Sequence, residues 1–173
     1  MAETKRMTAE QVVSFLLEEE GADFLRESLR WVVQQGFTTD ASMAPVRMVG
    51  DVSYPRGPHA RPTRLGPILE VPPLVADRFG QVMPMGWGWG LRMSAPARVL
   101  KEIERANENG RPAVLDIHPW ELDPDPPRVA LPPGLRFAHY VRLDGFQRRL
   151  RTILRGASFG PLQNAAAPAG SHA

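Results

Sequence analysis

The alternation of apolar and polar residues over positions 1–36 predicts two consecutive helices. Residues 8–11 fit a capping box, because the threonine hydroxyl and the glutamine amide can satisfy free backbone amides at a helix start. A stripe of valines and leucines follows, and Gly21 ends this first helix. A second apolar stripe begins at once, and Gly36 is placed to cap its C-terminus. The sequence therefore predicts an N-terminal helical pair.

Residues 42–67 contain several prolines, glycines and arginines, and their apolar positions follow neither a strand period nor a helical period. This segment predicts a long loop, and loops of such length inside compact domains are usually functional or disordered. Residues 67–73 then predict a short strand bracketed by prolines, and residues 74–79 a helical turn. Residues 83–90 place two tryptophans among three glycines, which predicts a flexible loop that carries large flat side chains.

Three elements are expected in the second half of the chain. Ser94 caps a helix of about 15 residues that ends at residues 109–110. An apolar run over residues 113–118 predicts a strand buried on both faces. Six prolines exclude regular structure over residues 119–133, and a last helix begins at Asp144. Its apolar residues are expected to face inward and its arginines outward: Phe146, Leu150, Ile153 and Leu154 against Arg148, Arg149, Arg151 and Arg155.

A helix followed by a strand indicates a βα-type sheet, so the predicted class is α/β. We expect a partial (β/α)-barrel-like fold with about four helices, few strands and long proline-rich loops. Eight βα units need about 200–250 residues. The chain has 173, which predicts an open sheet whose apolar edges favour self-association or a partner chain. Residues 163–173 are rich in alanine and small polar residues, as in a disordered tail.

Composition narrows the classes of function. Hydrophobic residues make up 43% and charged residues 23% of the chain, as in ordinary globular proteins. A net charge of +2 provides only a weak field for phosphates, so no nucleic-acid partner is expected. The absence of cysteine excludes disulfides, thiolate nucleophiles and cysteine metal ligands. No signal-peptide pattern and no long apolar run occurs, which predicts a cytoplasmic protein without a membrane span.

His118 is the main candidate for chemistry. It ends an apolar strand, and the proline after it keeps the backbone extended. Active sites of α/β folds collect at such strand ends, where a histidine can serve as a general acid, although a core histidine is equally compatible with this position. Trp120 beside it could pack on a sugar face or exclude water from the site. Trp87 and Trp89 could form a carbohydrate platform or anchor a loop in the core.

The other patterns are less specific. The four histidines show no three- or four-residue spacing, and no Walker A loop, G-x-S-x-G elbow or G-x-G-x-x-G motif is present. The sequence therefore contains no local metal or nucleotide motif. The arginines of the last helix are interpreted as its solvated face rather than as a nucleic-acid surface.

Residues 110–128, GRPAVLDIHPWELDPDPPR, contain an ordered His-Pro-Trp-Glu motif. Further motifs stand in order around it: QGFTTDAS at 35–42, LEVPP at 69–73, RFAHY at 136–140 and FGPL at 159–162. Together they resemble the C-terminal region of exosortase-associated bacterial polysaccharide deacetylases, which belong to the NodB-homology or carbohydrate esterase 4 superfamily. The resemblance extends over about residues 29–162.

The resemblance implies a metal-dependent amide hydrolase that removes acetyl groups from N-acetylated sugars. In that family an aspartate and two histidines hold zinc or a similar cation, and a late histidine protonates the leaving amine. His118 matches the late histidine, and Trp87, Trp89, Trp120 and Glu121 are the expected substrate-binding residues. The family's Asp-Asp pair and His-x-x-x-His motif are missing, and no Arg-x-Pro motif stands where the family would place it, so this chain is expected to carry no metal ligand and no cofactor.

Two hypotheses about function follow. In the first, residues 37–162 are the C-terminal portion of a deacetylase of N-acetylated polysaccharide, and this portion is catalytically incomplete alone. It is either a truncated gene product or a subunit that docks with a separate catalytic N-terminal half in trans. In the second, the chain is a non-catalytic carbohydrate-binding or interaction module that uses its tryptophans and proline-rich loops. A folded remnant without activity is the third possibility.

Overall fold

The computed structural model describes residues 29, 32–47, 50–123 and 125–166 of the chain. The first predicted helix lies outside these residues. The chain divides into two compact units, of which the first holds the described residues up to Thr38 together with Ala60–Ile68. The second unit holds Thr39–His59 and the described residues from Leu69 onward, including the predicted site.

Among the described residues of the second predicted helix, 29 and 32–34 are helical. Gly36 follows with φ +85°, and its backbone N–H donates to the carbonyl of Val33 at 2.9 Å. A left-handed glycine at a helix end is the expected C-terminal cap, because glycine adopts positive φ without a steric penalty. The predicted end of this helix at Gly36 is therefore confirmed.

Three strands form the first sheet in the order β1-β3-β2. Their bounds are β1 Thr39–Asp40, β2 His59–Thr63 and β3 Gly66–Glu70. β1 and β3 are parallel, with Asp40 opposite Glu70. The long loop predicted over residues 42–67 is thus wrong where β2 forms. Its sequence, HARPT, lacks the usual apolar alternation, and the Thr63 hydroxyl fixes the turn by donating to the Gly66 carbonyl at 2.5 Å.

The second sheet pairs β4, Val75–Arg78, with the antiparallel β5, Gln81–Pro84. The helical turn predicted at residues 74–79 is therefore wrong. Phe79 and Gly80 connect the two strands with φ +51° and +74°. Two consecutive positive φ values suit the two-residue turns whose twist matches that of paired strands. Phenylalanine is unusual at such a position, which explains why the sequence pattern did not indicate a hairpin.

Six helical segments follow β5 among the described residues: α1 Gly88–Met93, α2 Pro96–Glu108, a 3-10 helix Pro119–Leu122, α3 Pro133–Tyr140, α4 Phe146–Gly156 and a second 3-10 helix Leu162–Ala166. α2 confirms its prediction, although its N-cap is Ala95 rather than Ser94. α1 replaces part of the predicted glycine-tryptophan loop, and the first 3-10 helix lies in a segment predicted to be irregular. α3 was not predicted.

α4 confirms the last predicted helix, and Phe146, Leu150 and Ile153 are buried as expected. Leu154 is 47% exposed, so its predicted inward position is wrong. The second 3-10 helix includes the first four residues of the predicted tail, and the rest of that tail lies outside the described residues.

Residues 113–118 do not form a regular strand. Val114 bridges Pro73 and Asp116 bridges Trp87, both in parallel orientation, as two isolated pairs. The strand prediction is therefore too strong, because prolines and glycines on the neighbouring segments interrupt a continuous ladder. The backbone nevertheless enters His118 in an extended conformation.

The main core lies in the second unit and joins β4, α1, α2 and α4. Its buried members are Leu74, Ala76, Met85, Leu91, Val99, Ile103, Ala106, Phe146, Leu150 and Ile153. The predicted α/β class is confirmed, and the described strands form two small sheets and no closed barrel. In the part of the chain that the structure describes, no helix is long and apolar enough to cross a membrane.

Candidate functional site

The first 3-10 helix, Pro119–Leu122, determines how His118 is presented. His118 is its N-cap residue, is exposed and has extended backbone angles of φ −81° and ψ 140°. Its backbone N–H donates to Oε2 of Glu121 at 3.1 Å, and its carbonyl accepts from the Glu121 N–H at 3.0 Å. Because both backbone groups are engaged by one residue, the backbone of His118 is fixed while its side chain remains accessible.

Glu121 is buried against Arg92 of α1. Arg92 Nε lies 3.2 Å from Glu121 Oε1, and the two side chains are only 3% and 4% exposed. Burial lowers the pKa of Arg92, whereas the charge of Glu121 raises it. A buried charge needs a partner of this kind, since taking it from water is costly. Of the predicted substrate-binding residues, Glu121 is thus engaged by the chain itself.

The same guanidinium binds the end of α3. Arg92 donates to the carbonyls of His139 at 3.0 Å, Val141 at 2.7 Å and Ala138 at 3.2 Å. The last carbonyls of a helix have no partner within the helix, and a cation there also complements the helix dipole. Arg92 therefore connects the 3-10 helix that follows His118 to the C-terminus of α3.

Gly88 makes the close approach of α1 to Glu121 possible. A Cβ atom at this position would overlap both carboxylate oxygens of Glu121. Gly86 has a similar role, because a Cβ there would overlap the Val114 carbonyl and the Leu74 amide. These two glycines of the predicted flexible loop are thus places of close packing.

A row of rings extends from His118 to Tyr140. Trp120 stacks on His139, with 4.1 Å between ring centroids and 14° between planes. His118 lies 6.4 Å from Trp120, and His139 meets the edge of Tyr140 at 4.6 Å. The Tyr140 hydroxyl donates to the carbonyl of Pro127 at 3.2 Å. In this aromatic row, His118–Trp120–His139–Tyr140, the His139 imidazole stacks on the indole and the His118 imidazole lies beside it.

The predicted site residues are only partly brought together. His118, Trp120 and Glu121 belong to one short segment and lie together in the structure. Trp87 instead packs against the small core cluster of Ala44, Val46 and Val75. Trp89 lines a cavity of about 470 Å³ beside β4 and β5.

His139 and Arg92 are members of the site that the sequence did not indicate. His139 stands within the RFAHY segment of the resemblance, but nothing in its local spacing links it to Trp120. Arg92 is 47 positions from His139 along the chain. The only signal for His139 was that resemblance, and for Arg92 there was none.

Two carboxylates end the parallel strands β1 and β3. Asp40 and Glu70 are register partners, so their side chains share one face of the sheet. Ser42 donates to Asp40 Oδ1 at 2.8 Å, and the Met43 amide donates to Glu70 Oε1 at 2.8 Å. These hydrogen bonds hold the two carboxylates at the ends of β1 and β3.

The resemblance implies a zinc or similar cation. Within the described ranges, no group of three or more histidine, aspartate or glutamate side chains is placed to hold a metal ion. The side chains of this part of the chain therefore do not fit the metal centre that the resemblance implies.

The chain thus contains an α/β domain in which the exposed His118 caps a 3-10 helix, and the buried Glu121–Arg92 pair holds that helix in place. Residues 41–167 match a family described as a domain of unknown function, DUF3473. The match covers more than half of the 173 residues, and the chain belongs to this family. No curated protein matches the chain. No solved structure matches it.

Proposed function

We propose that this chain is a polysaccharide deacetylase-like protein that acts on N-acetyl groups of a glycan. The observation that carries the proposal is the exposed His118, held by the buried Glu121–Arg92 pair at the start of the aromatic row. Two further points support it: the His-Pro-Trp-Glu resemblance and the known occurrence of DUF3473 domains with polysaccharide deacetylases.

In the proposed reaction, the C–N bond of an N-acetyl group is hydrolysed and the sugar nitrogen leaves as an amine. An amine is a poor leaving group unless it is protonated as the bond breaks. His118 would supply that proton from its imidazolium form. Glu121 and Arg92 would act as positioning residues, because they hold the His118 backbone without reaching the solvent.

The proposed partner for the complete reaction is a catalytic half in trans, which would supply the metal-binding residues of the family. Exposed apolar side chains near Tyr140 offer a surface for such a partner or for a second copy of the chain. Leu135 and Phe137 of α3 are 50% and 61% exposed, and Val129 is 54% exposed.

The proposal is tested in the host cell. Deletion of the gene should raise the N-acetyl content of the surface polysaccharide, measured by NMR, and the wild-type chain should restore it. His118→Ala should fail to restore it, because loss of a general acid lowers turnover by a factor on the order of 10² to 10⁴. His59→Ala is the matched control and should restore it. Full restoration by His118→Ala would refute the catalytic role.

A carbohydrate-binding module is the second candidate, and the Trp120–His139 stack favours it. It predicts that the full chain binds N-acetylglucosamine oligomers in calorimetry while deletion leaves the N-acetyl content unchanged. Trp120→Ala should then weaken binding, whereas Phe79→Ala, which removes a 91% exposed ring, should not.

A further inference from the structure

The first turn of α4 contains two arginines and no acidic residue. A helix N-terminus carries partial positive charge, so cations there are unfavourable for the helix itself. Helix stability accounts for Arg155 in the last turn of α4 but not for Arg148 and Arg149 in the first. Arg149 donates to the carbonyls of Arg142 and Asp144 just before the helix, so Arg148 is the side chain that needs another explanation.

Three arginines of α4 line one groove. Arg148, Arg151 and Arg155 stand at helical spacings of three and four residues, so they share one face that extends over about 10 Å of the helix axis. The groove has a volume of about 490 Å³, and Thr152 also lines it. We call these three side chains the arginine face.

Positive charge exceeds negative charge around this groove. Among the described residues, no ion pair joins a side chain of the arginine face to a carboxylate. Asp144 is the acidic residue of the groove lining. Burial lowers the pKa of the neighbouring Arg149, the charges of Arg142 and Arg148 lower it further, and Asp144 raises it. A bound anion would relieve this repulsion.

The groove begins where the candidate site ends. Leu122 lines it and is the last residue of the 3-10 helix that presents His118 and Trp120. The Gln147 side chain, also in the lining, donates to the Leu122 carbonyl at 3.0 Å. A chain-like ligand at Trp120 could therefore continue along α4.

We propose that the arginine face binds the carboxylates of an acidic polysaccharide, so that the substrate of this protein contains uronic acid units. The choice of a glycan as the polyanion rests on the proposed function. Guanidinium groups suit this ligand, because their planar donors match both oxygens of a carboxylate. The arginine face is then a binding surface rather than the merely solvated face expected from sequence.

Calorimetry with the full chain tests the proposal, using a galacturonate oligomer and its carboxyl-reduced neutral counterpart. The groove variant replaces Arg148, Arg151 and Arg155 by glutamine, and the control variant replaces Arg64, Arg98 and Arg136 in the same way. Both remove the same charge from exposed positions. The groove variant should bind the galacturonate oligomer at least about tenfold more weakly, whereas the control should change by less than about twofold.

Equal losses in the two variants would overturn the proposal, since only total charge would then matter. Equal affinity of the wild type for the neutral oligomer would also overturn it. So would tighter binding of a single-stranded oligonucleotide through the same arginines. The proposed function is tested by a different measurement, the cellular N-acetyl content in the presence of His118→Ala. Its failure can therefore be distinguished from a failure to bind the galacturonate oligomer.

Discussion

Arg92 joins more of the candidate site than any other side chain described above. Its guanidinium pairs with Glu121 and donates to three carbonyls at the end of α3. Taking both charges from water costs several kcal/mol per ion, and their attraction with these hydrogen bonds offsets that cost. The pair is therefore vulnerable to the loss of either member.

We expect Arg92→Met to lower the free energy of unfolding by about 3–5 kcal/mol, because it leaves the Glu121 carboxylate buried and unpaired. Urea denaturation measures this loss. Combining it with Glu121→Leu should cost less than the sum of the two single changes, because the second removes the orphaned charge.

The exposed pair Arg56–Asp77 provides the control. Its atoms approach to 2.7 Å, but the Asp77 side chain is 64% exposed. Arg56→Met should therefore cost no more than about 1 kcal/mol. A larger loss for Arg56→Met than for Arg92→Met would contradict this account of the buried pair.

At the scale of elements, the β4–β5 hairpin contains a residue that does not suit its backbone. Phe79 has φ +51° and is 91% exposed, with the Arg78 guanidinium 5.0 Å from its ring centroid. Positive φ costs an ordinary residue about 1–2 kcal/mol, and asparagine tolerates it better. An exposed cation–π contact is worth about 0.5–1 kcal/mol.

Phe79→Asn should therefore raise the free energy of unfolding by about 0.5 kcal/mol, because the relief of backbone strain exceeds the lost ring contact. Chemical denaturation of the two proteins measures the difference. Phe159→Asn is the control, since Phe159 is 43% exposed and is not among the residues with positive φ. Destabilisation by Phe79→Asn would show that the ring stabilises the hairpin.

Elements with regular apolar spacing could be predicted from sequence, whereas those fixed by remote contacts could not. α2 and α4 carry stripes that match the helical period, and both formed as predicted. α1 contains two glycines in its six residues, and one of them, Gly88, packs against Glu121. None of the residues of α3, all of which the structure describes, is buried, so this helix has no core-facing stripe of the kind that predicted α2 and α4.

At the scale of the whole molecule, the candidate site also contains residues that a local motif could indicate and residues that only remote contacts bring together. His118, Trp120 and Glu121 are contiguous, so one motif could indicate all three. Their bracing by Arg92 and the stacking of His139 depend on how α1 and α3 pack, which no local pattern encodes. Trp87 and Trp89 show the converse, since a local cluster of tryptophans separates into two packing environments.

The main core determines how the second unit should unfold. Phe146 of α4 is fully buried in the cluster that also holds Val99 and Ile103 of α2. Phe146→Ala should lower the free energy of unfolding by about 3–5 kcal/mol, because it removes apolar contacts and leaves a cavity. Hydrogen exchange should show this loss equally in α2 and α4, since the two helices share one cluster and open together.

Two comparisons make that prediction specific. Leu154→Ala should change protection in both helices by less than about 1 kcal/mol, because Leu154 is 47% exposed and has little apolar surface to lose. Amides of α3 should exchange faster than those of α2 and α4 in the wild type, because α3 buries no residue. If Phe146→Ala lowered protection in α4 alone, the two helices would unfold independently and the cluster would not act as one core.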